Sequence, residues 1–193
     1  MRAIIETQVV LDEPSADQGL VTWFDVRMVE GFDGADGAVA GRARVARVHV
    51  GAALDVGESL GDVLDADSGE LAALYPVFFD EGGLRDEFVQ GAGSDLLYVG
   101  EVRLEPGWDG RNIELALVRR LCDTLGQGCD VAVVSCASDA DVARWQRMGF
   151  APSGKDGRHA HLALASRQAR VVPSDDFSRY KIVANPPPGR DQH

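Results

Sequence analysis

The side chains able to do chemistry are few and scattered. Cys136 ends the run Asp130-Val131-Ala132-Val133-Val134-Ser135-Cys136, which reads as a central strand buried on both faces. A thiol there stands where open α/β sheets place their ligands. It can be read as a nucleophile or as a small buried hydrophobe, the commoner role. Six residues separate Cys122 from Cys129 and Cys129 from Cys136, which is not a zinc spacing. An odd count without an export signal argues for reduced thiols. His159 and His161 lie two apart on a predicted strand and share a face. They are read as a metal pair or, more in keeping with the pattern, as a solvated strand face. The sequence contains no G-x-S-x-G, no G-x-x-x-x-G-K and no H-E-x-x-H.

The elements that must position these groups differ between the two halves. Residues 3–11, 19–30 and 42–53 read as strands, with Gly31 to Gly41 as a Gly- and Asp-rich hairpin loop. The alternation of the third slips at Val45-Ala46, which suggests a bulge or a strand buried on both faces. Residues 57–90 read as short helices, with Ser59 as an N-cap and Pro76 forcing a kink or break. Residues 96–104 read as a strand with Leu96, Tyr98, Val102 and Leu104 on one face and Glu101 and Arg103 on the other. A helix over 112–126, the strand 130–136, a helix capped by Ser138 or Asp139, and strands at 150–152 and 159–165 follow. Strand, helix, strand, helix, strand implies an α/β sheet with helices on its faces.

The chain has 193 residues, 45% of them hydrophobic, enough for one domain with a substantial core. No apolar run approaches the ~20 residues of a membrane helix. The N-terminus Met1-Arg2-Ala3-Ile4-Ile5-Glu6 lacks the plan of a signal peptide, so a cytoplasmic protein with no membrane partner is expected. The net charge is −12; residues 1–90 hold 6 basic and 18 acidic side chains, whereas residues 91–193 hold 13 of each. That excess argues against nucleic-acid binding, which needs cations to replace phosphate counterions. It suits a cationic partner, and it also serves plain solubility.

The stretch from Leu96 to Phe150 is the most informative. Leu104-Glu105-Pro106 closes a strand, Gly107-Trp108-Asp109-Gly110-Arg111-Asn112-Ile113-Glu114 opens an apolar helix, and a later helix ends Trp145-Gln146-Arg147-Met148-Gly149-Phe150. This order resembles the GNAT superfamily of acyl-CoA-dependent N-acyltransferases over roughly residues 94–165. In that family a strand ending in Pro leads to R/Q-x-x-G-x-G/A at a helix N-terminus, and a later helix ends Y-E-x-x-G-F. The stretch Asp67-Ser68-Gly69-Glu70-Leu71 and the Val118-Arg119-Arg120-Leu121 helix are similar to a bacterial subgroup of uncertain substrate.

The resemblance implies a mixed, mostly antiparallel α/β sheet with one splayed strand pair and helices on both faces. It implies one domain over 1–166, with an acidic half 1–93 and an acyl-CoA half 94–166, and a tail over 167–193. About the last eight residues of that tail are expected to be disordered. Val171-Val172 and Tyr180-Lys181-Ile182-Val183 are read as docking on the body or on a second subunit, which would make a homodimer.

For the site, the resemblance implies acetyl-CoA or another acyl-CoA as co-substrate, no metal, and an amine or basic-peptide acceptor. The amides of Val102 and Leu104 would meet the acyl-pantetheine arm. Gly110, Arg111, Asn112, Ile113, Glu114 and Leu115, with Asp109 before them, would cradle the pyrophosphate through unpaired first-turn amides. Ser138 falls where members have an Asn touching CoA, and is equally an N-cap. Glu101 falls where some members carry the general base, and is equally a surface carboxylate paired with Arg103. The phenol that protonates the leaving thiolate is replaced by Trp145, which would pack on pantetheine or fill the pocket.

The motif departs at three places: Asp109 stands for Arg/Gln, Asn112 for the first Gly and Glu114 for Gly/Ala. A carboxylate ~5 Å from a phosphate costs on the order of 3 kcal/mol at an effective dielectric near 20. Two readings therefore stand side by side: an N-acyltransferase, and a catalytically degenerate binding or regulatory protein on the same scaffold.

Overall fold

The computed structural model describes residues 1–8, 19–31, 37–155, 157–166, 169–175 and 179–183. β1 (Arg2–Glu6), β2 (Val21–Val29) and β3 (Val39–Val48) form an antiparallel meander. Four short helices follow: α1 (Val50–Val56), α2 (Leu60–Asp67), α3 (Gly69–Ala72) and α4 (Tyr75–Phe78). After them come the tiny hairpin β4 (Phe79–Asp80) and β5 (Gly83–Leu84), then a 3₁₀ turn over Asp86–Phe88. The second half runs β6 (Asp95–Leu104), α5 (Ile113–Leu125), β7 (Cys129–Ser135), α6 (Asp139–Gln146), β8 (Ala151–Ser153) and β9 (His159–Ala163). β10 (Arg170–Pro173) and β11 (Tyr180–Val183) close the described chain as an antiparallel hairpin.

Seven strands make one sheet in the order β1-β2-β3-β6-β7-β9-β8. Among the described residues, only β6 and β7 pair in parallel; every other neighbouring pair of this sheet is antiparallel. The sheet separates two cores. One face packs Val45, Leu97, Val99, Ala132 and Val134 against α5 and α6. The other packs Val48, Leu96, Tyr98, Val131 and Val133 against α1–α4. This is the mostly antiparallel α/β sheet, covered on both faces, that the resemblance implies. Among the described residues, no helix is long and apolar enough to cross a membrane.

Some of these expectations change. Residues 49–53 are not strand: β3 stops at Val48 and α1 begins at Val50, ended by Gly57 in the left-handed region. The run Val48 to Leu54 fits either a strand or a buried helix, and Ala52, Ala53 and Leu54 favour the helix. The break expected from Pro76 is present: the segment 70–79 divides into α3 and α4, with Pro76 in the first turn of α4. There its missing N–H leaves no unmade bond. The face bearing His159 and His161 is packed rather than solvated: the Phe88 ring lies 4.9 Å from that of His161, and Phe78 lies 6.2 Å from that of His159. The disorder expected for about the last eight residues concerns positions outside the described residues.

Candidate functional site

The site is built around a fork in the sheet. β6 pairs with β7 from Asp95 to Val99, but it runs on to Leu104 while β7 ends at Ser135. On its other side, β6 holds β3 to its end, with one irregularity. Gly100 and Glu101 stand between Val99 and Val102, whereas only Arg44 stands between Ala43 and Val45. This is a bulge on β6, and it twists the strand away from β7.

The extra residue also reverses the strand's faces. Leu97, Val99, Val102 and Leu104 share the α5 face. Leu96 and Tyr98 lie on the other, and beyond the bulge Glu101 and Arg103 are exposed. The single uninterrupted face expected for Leu96, Tyr98, Val102 and Leu104 is therefore not present.

Beyond the fork, strand amides are left without a sheet partner on one side. Glu105 N–H donates to the Ala40 carbonyl, toward β3, over 2.9 Å. Alternation then turns the N–H groups of Leu104 and Val102 away from β3, into the gap that β7 has vacated.

Polar groups gather at the branch point. Tyr98, the residue before Val99, is 2% exposed. Burial, reinforced by the charge of Glu70, pushes its phenol up to about 12, while a hydrogen bond with Ser135 works the other way. Ser135 is the last residue of β7. Glu70 comes from α3, whose N-cap Ser68 accepts from the Leu71 N–H over 3.3 Å. A Cβ on Gly100 would stand 3.5 Å from Glu70 Oε2, 3.6 Å from Tyr98 Cε1 and 3.2 Å from the Arg44 carbonyl. A side chain at the bulge is therefore crowded on the Arg44 side, and the carboxylate of Glu70 lies directly over it. The α2–α3 corner is tied to the sheet by Trp23, whose Nε1 donates to Asp67 Oδ1 over 2.7 Å. The Arg44 guanidinium lies 3.7 Å from the Trp23 ring centroid.

Glu101 itself is 63% exposed at its side chain and lies 2.5 Å from Arg103. The hydrogen bond from Arg103 holds its carboxyl below the usual range. Of its two readings, the structure displays the surface ion pair. No motif in the sequence marks Glu70 or Tyr98 as a site residue, and nothing in the run Asp67 to Leu71 says that α3 folds over the bulge.

The N-terminus of α5 has a more complex surround. Asp109 and Gly110 are exposed. Asn112 sits at φ 56° and ψ 29° as N-cap, and its side chain makes no capping bond. That is the left-handed region natural to glycine, and Asn is among the side chains that best tolerate it. Asn112 therefore holds a backbone conformation that usually calls for glycine. Its side chain is occupied: Nδ2 donates to the Tyr180 carbonyl over 2.7 Å, and Oδ1 accepts from Arg147 over 3.3 Å. Tyr180 N–H donates to the Arg111 carbonyl over 2.8 Å, so β11 lies along the helix mouth.

Ile113, Glu114 and Leu115 are buried. Glu114 does not project as a free charge toward the place of a phosphate, as expected from sequence. It is 8% exposed and faces Arg144 of α6. Arg111 turns to the other flank, its guanidinium 4.8 Å from the Trp108 ring centroid.

Ser138 caps α6, accepting from the Asp141 N–H over 3.3 Å. Trp145 is 4% exposed in the core, 6.1 Å from Phe150 ring to ring. All three cysteines are free and buried. Burial pushes Cys136 up to about 11, which leaves it a core thiol rather than a nucleophile. Among the described residues, no group of three His, Cys, Asp or Glu could hold a metal ion.

No family model matches the chain, and no curated protein is significantly similar to it. Solved structures similar to it include a mutant of the AtaT toxin bound to the C-terminus of the antitoxin AtaR. That one is 9% identical over 85% of this chain and 93% of the other, with a TM-score of 0.44. The same mutant with the antitoxin C-terminus and acetyl-CoA gives 9% identity over 85% and 94%, with a TM-score of 0.44. AtaT complexed with acetyl-methionyl-tRNAfMet gives 9% over 84% and 95%, with a TM-score of 0.43. At this level of similarity nothing of those proteins' ligands carries over to this chain. The fold is shown by the sheet itself: seven strands, one parallel pair at its centre, and a bulge where that pair divides.

Proposed function

We propose that the chain is a GNAT-like N-acyltransferase that moves an acyl group, most simply acetyl, from acyl-CoA to a cationic amine. The observation that carries this reading is the fork: β6 bulges at Gly100-Glu101 and parts from β7, freeing the amides of Val102 and Leu104. These donors suit an acyl-pantetheine arm and the oxyanion formed when an amine attacks a thioester carbonyl. The first-turn amides of α5, which Asn112 does not cap, suit the diphosphate. Acyl-CoA would supply the activated acyl group. The chain's own part is to orient it, accept the proton of the amine and return one to the thiolate.

For the base we favour Glu70 over Glu101. Glu70 stands over the bulge, whereas Glu101 is tied to Arg103 and less basic for it. For the acid we favour Tyr98, which stays protonated at neutral pH and takes the part that Trp145 cannot. The acceptor would come from the side of α1–α4, where Asp62, Asp65, Asp67 and Glu70 are exposed. Such a rim attracts amino sugars, polyamines or basic peptides.

A second reading has its own support. Tyr180 hydrogen-bonds to Arg111 and Asn112 at the mouth of α5. The scaffold would then be a binding or regulatory module in which the tail has taken the coenzyme's place.

Calorimetric titration with acetyl-CoA, followed by transfer assays on an amino sugar, spermidine, a Lys-rich peptide and an aminoacyl-tRNA, separates the two. The tRNA tests the exclusion of nucleic acid, which rests on charge alone. Acetyl-CoA binding at tens of micromolar with transfer to at least one acceptor supports the enzyme. No binding at about 1 mM favours the degenerate module. If transfer occurs, Glu70→Gln should lower kcat at least about tenfold and Glu101→Gln should not.

A further inference from the structure

At the end of the sheet away from the fork, three side chains with no part in acyl transfer stand in a line. They come from three neighbouring strands: Thr22 from β2, His49 from the residue after β3, and Asp95 from the start of β6. Thr22 lies opposite Arg47 in the β2–β3 register, and His49 is two residues beyond Arg47, so these side chains share one face. Thr22 Oγ1 lies 2.9 Å from His49 Nε2, and His49 Nδ1 lies 3.3 Å from Asp95 Oδ2. The same carboxylate oxygen accepts from Arg47 Nε and Nη2 at 3.0 and 2.8 Å, and Asp95 Oδ1 accepts from Ser94 Oγ over 3.4 Å. The backbone of His49 is fixed without this line, because its N–H donates to the Leu20 carbonyl over 2.8 Å.

The order of these groups decides where the protons sit. Burial raises the Asp95 carboxyl, but the hydrogen bonds from His49 and Arg47 outweigh it and leave the group below its ordinary value. Asp95 is therefore ionised at neutral pH and can only accept. In the neutral ring the hydrogen then sits on Nδ1, facing Asp95, and the lone pair of Nε2 faces the Thr22 hydroxyl, which donates to it. A hydroxyl, an imidazole and a carboxylate joined in this order turn an alcohol into a nucleophile. Thr22 and His49 are half-buried, whereas Asp95 is buried. The line is thus reachable at the hydroxyl and closed at the carboxylate. Phe24, two residues along β2 on the same face as Thr22, adds apolar surface beside it. The thiol of Cys129 feels the charges of Arg47 and Asp95, but burial pushes it up to about 11, which keeps it protonated.

We propose that Thr22 is a nucleophile, with His49 as its base and Asp95 orienting His49, and that it takes the acyl group of a small activated ester or thioester. The Thr22 proton passes to His49 Nε2, a bond forms from Oγ1 to the acyl carbon, and the bond from that carbon to the leaving oxygen or sulfur breaks. His49 then gives the proton to the leaving group. Hydrolysis follows the same path: water gives a proton to Nε2, its oxygen joins the acyl carbon, the ester bond to Oγ1 breaks, and Oγ1 recovers the proton. This activity is independent of transfer at the fork, because it uses neither Glu70, Tyr98 nor the freed amides of β6.

The test uses the full chain with p-nitrophenyl acetate and with acetyl-CoA, reading product release and, after acid quenching, the position of any bound acetyl group by peptide mass spectrometry. The parent should release p-nitrophenol at least about tenfold faster than Thr22→Val or His49→Gln. Valine keeps the branched shape of Thr22 in β2, and Thr22→Ser, which keeps the hydroxyl, should hold the rate within about threefold. Asp95→Asn should lower kcat at least about tenfold and leave KM unchanged, as a positioning residue does. Thr22-dependent release from both probes assigns esters and thioesters, and release from the aryl ester alone assigns esters. The proposal falls if Thr22→Val matches the parent, if Thr22→Ser is as slow as Thr22→Val, if Asp95→Asn keeps the parent kcat, or if the acetyl group maps to His49 or Cys129 instead of Thr22.

Discussion

Arg144 Nε of α6 lies 3.5 Å from Glu114 Oε1 in the first turn of α5. This pair, which Arg144 shares with Asp141 at 3.1 Å, offsets the carboxylate that, read from sequence, should repel a diphosphate. Glu114→Gln is therefore expected to change acetyl-CoA affinity by less than about threefold, not by the hundredfold that an unpaired charge implies. It should cost about 1 kcal/mol of stability, since a partly buried ion pair is lost. Calorimetry and urea denaturation check the two halves.

Tyr98 gives the pH prediction. Its phenol is raised from 10.0 to about 12, first by burial and then by Glu70. The folded state favours the protonated phenol, so its contribution to stability is complete below about 10 and is lost as pH rises through about 12. Tyr98→Phe should remove that alkaline dependence in thermal unfolding scans. If transfer is found, the same variant should lower kcat at least about tenfold, with no alkaline limb below pH about 10 in the parent.

Gly100→Ala tests the bulge. The added methyl meets the Arg44 carbonyl at 3.2 Å, so the bulge and β3 must part by a few tenths of an ångström, and it stands in van der Waals contact with Glu70 Oε2 at 3.5 Å, crowding the carboxylate over the fork. Any transfer activity should fall at least about tenfold. The melting temperature should fall only a few degrees, about 1 kcal/mol.

Asp95 anchors the opposite end of β6. Arg47 donates to its Oδ2 through Nε at 3.0 Å and Nη2 at 2.8 Å, and His49 Nδ1 stands 3.3 Å from the same oxygen. Burial raises the carboxyl, but the hydrogen bonds from His49 and Arg47 together outweigh it and leave the group below its ordinary 3.8. The stabilisation is present above about 4 and is lost as pH falls through the folded-state value. Asp95→Asn should cost about 2 kcal/mol at neutral pH. The gap to the parent should narrow near pH 2 in acid-unfolding curves.

Much of the second half could be read in advance because its periodicities are strong. Leu117 and Leu121 mark the α5 stripe, Val131 to Val134 mark a doubly buried strand, and Ser138 marks a cap. What could not be read depends on contacts distant in sequence. The bulge is set by pairing with Arg44, so the face of Glu101 could not be had from counting along β6. The setting of His161 is decided by Phe88. Glu70 reaches the fork only because α3 folds back across the sheet. Glu114 looked free because its partner, Arg144, is thirty residues on, in another helix.

The placing of α1–α4 between β3 and β6 also bears on how the chain acquires its shape. These two strands are neighbours in the centre of the sheet, yet the whole helical layer must be made before they can meet. During synthesis the first three strands would wait with one long edge of β3 uncovered, open to pairing with another molecule. Closure is a late, long-range event, so lesions in the α1–α4 segment should be felt as slow refolding and aggregation even where the finished protein tolerates them.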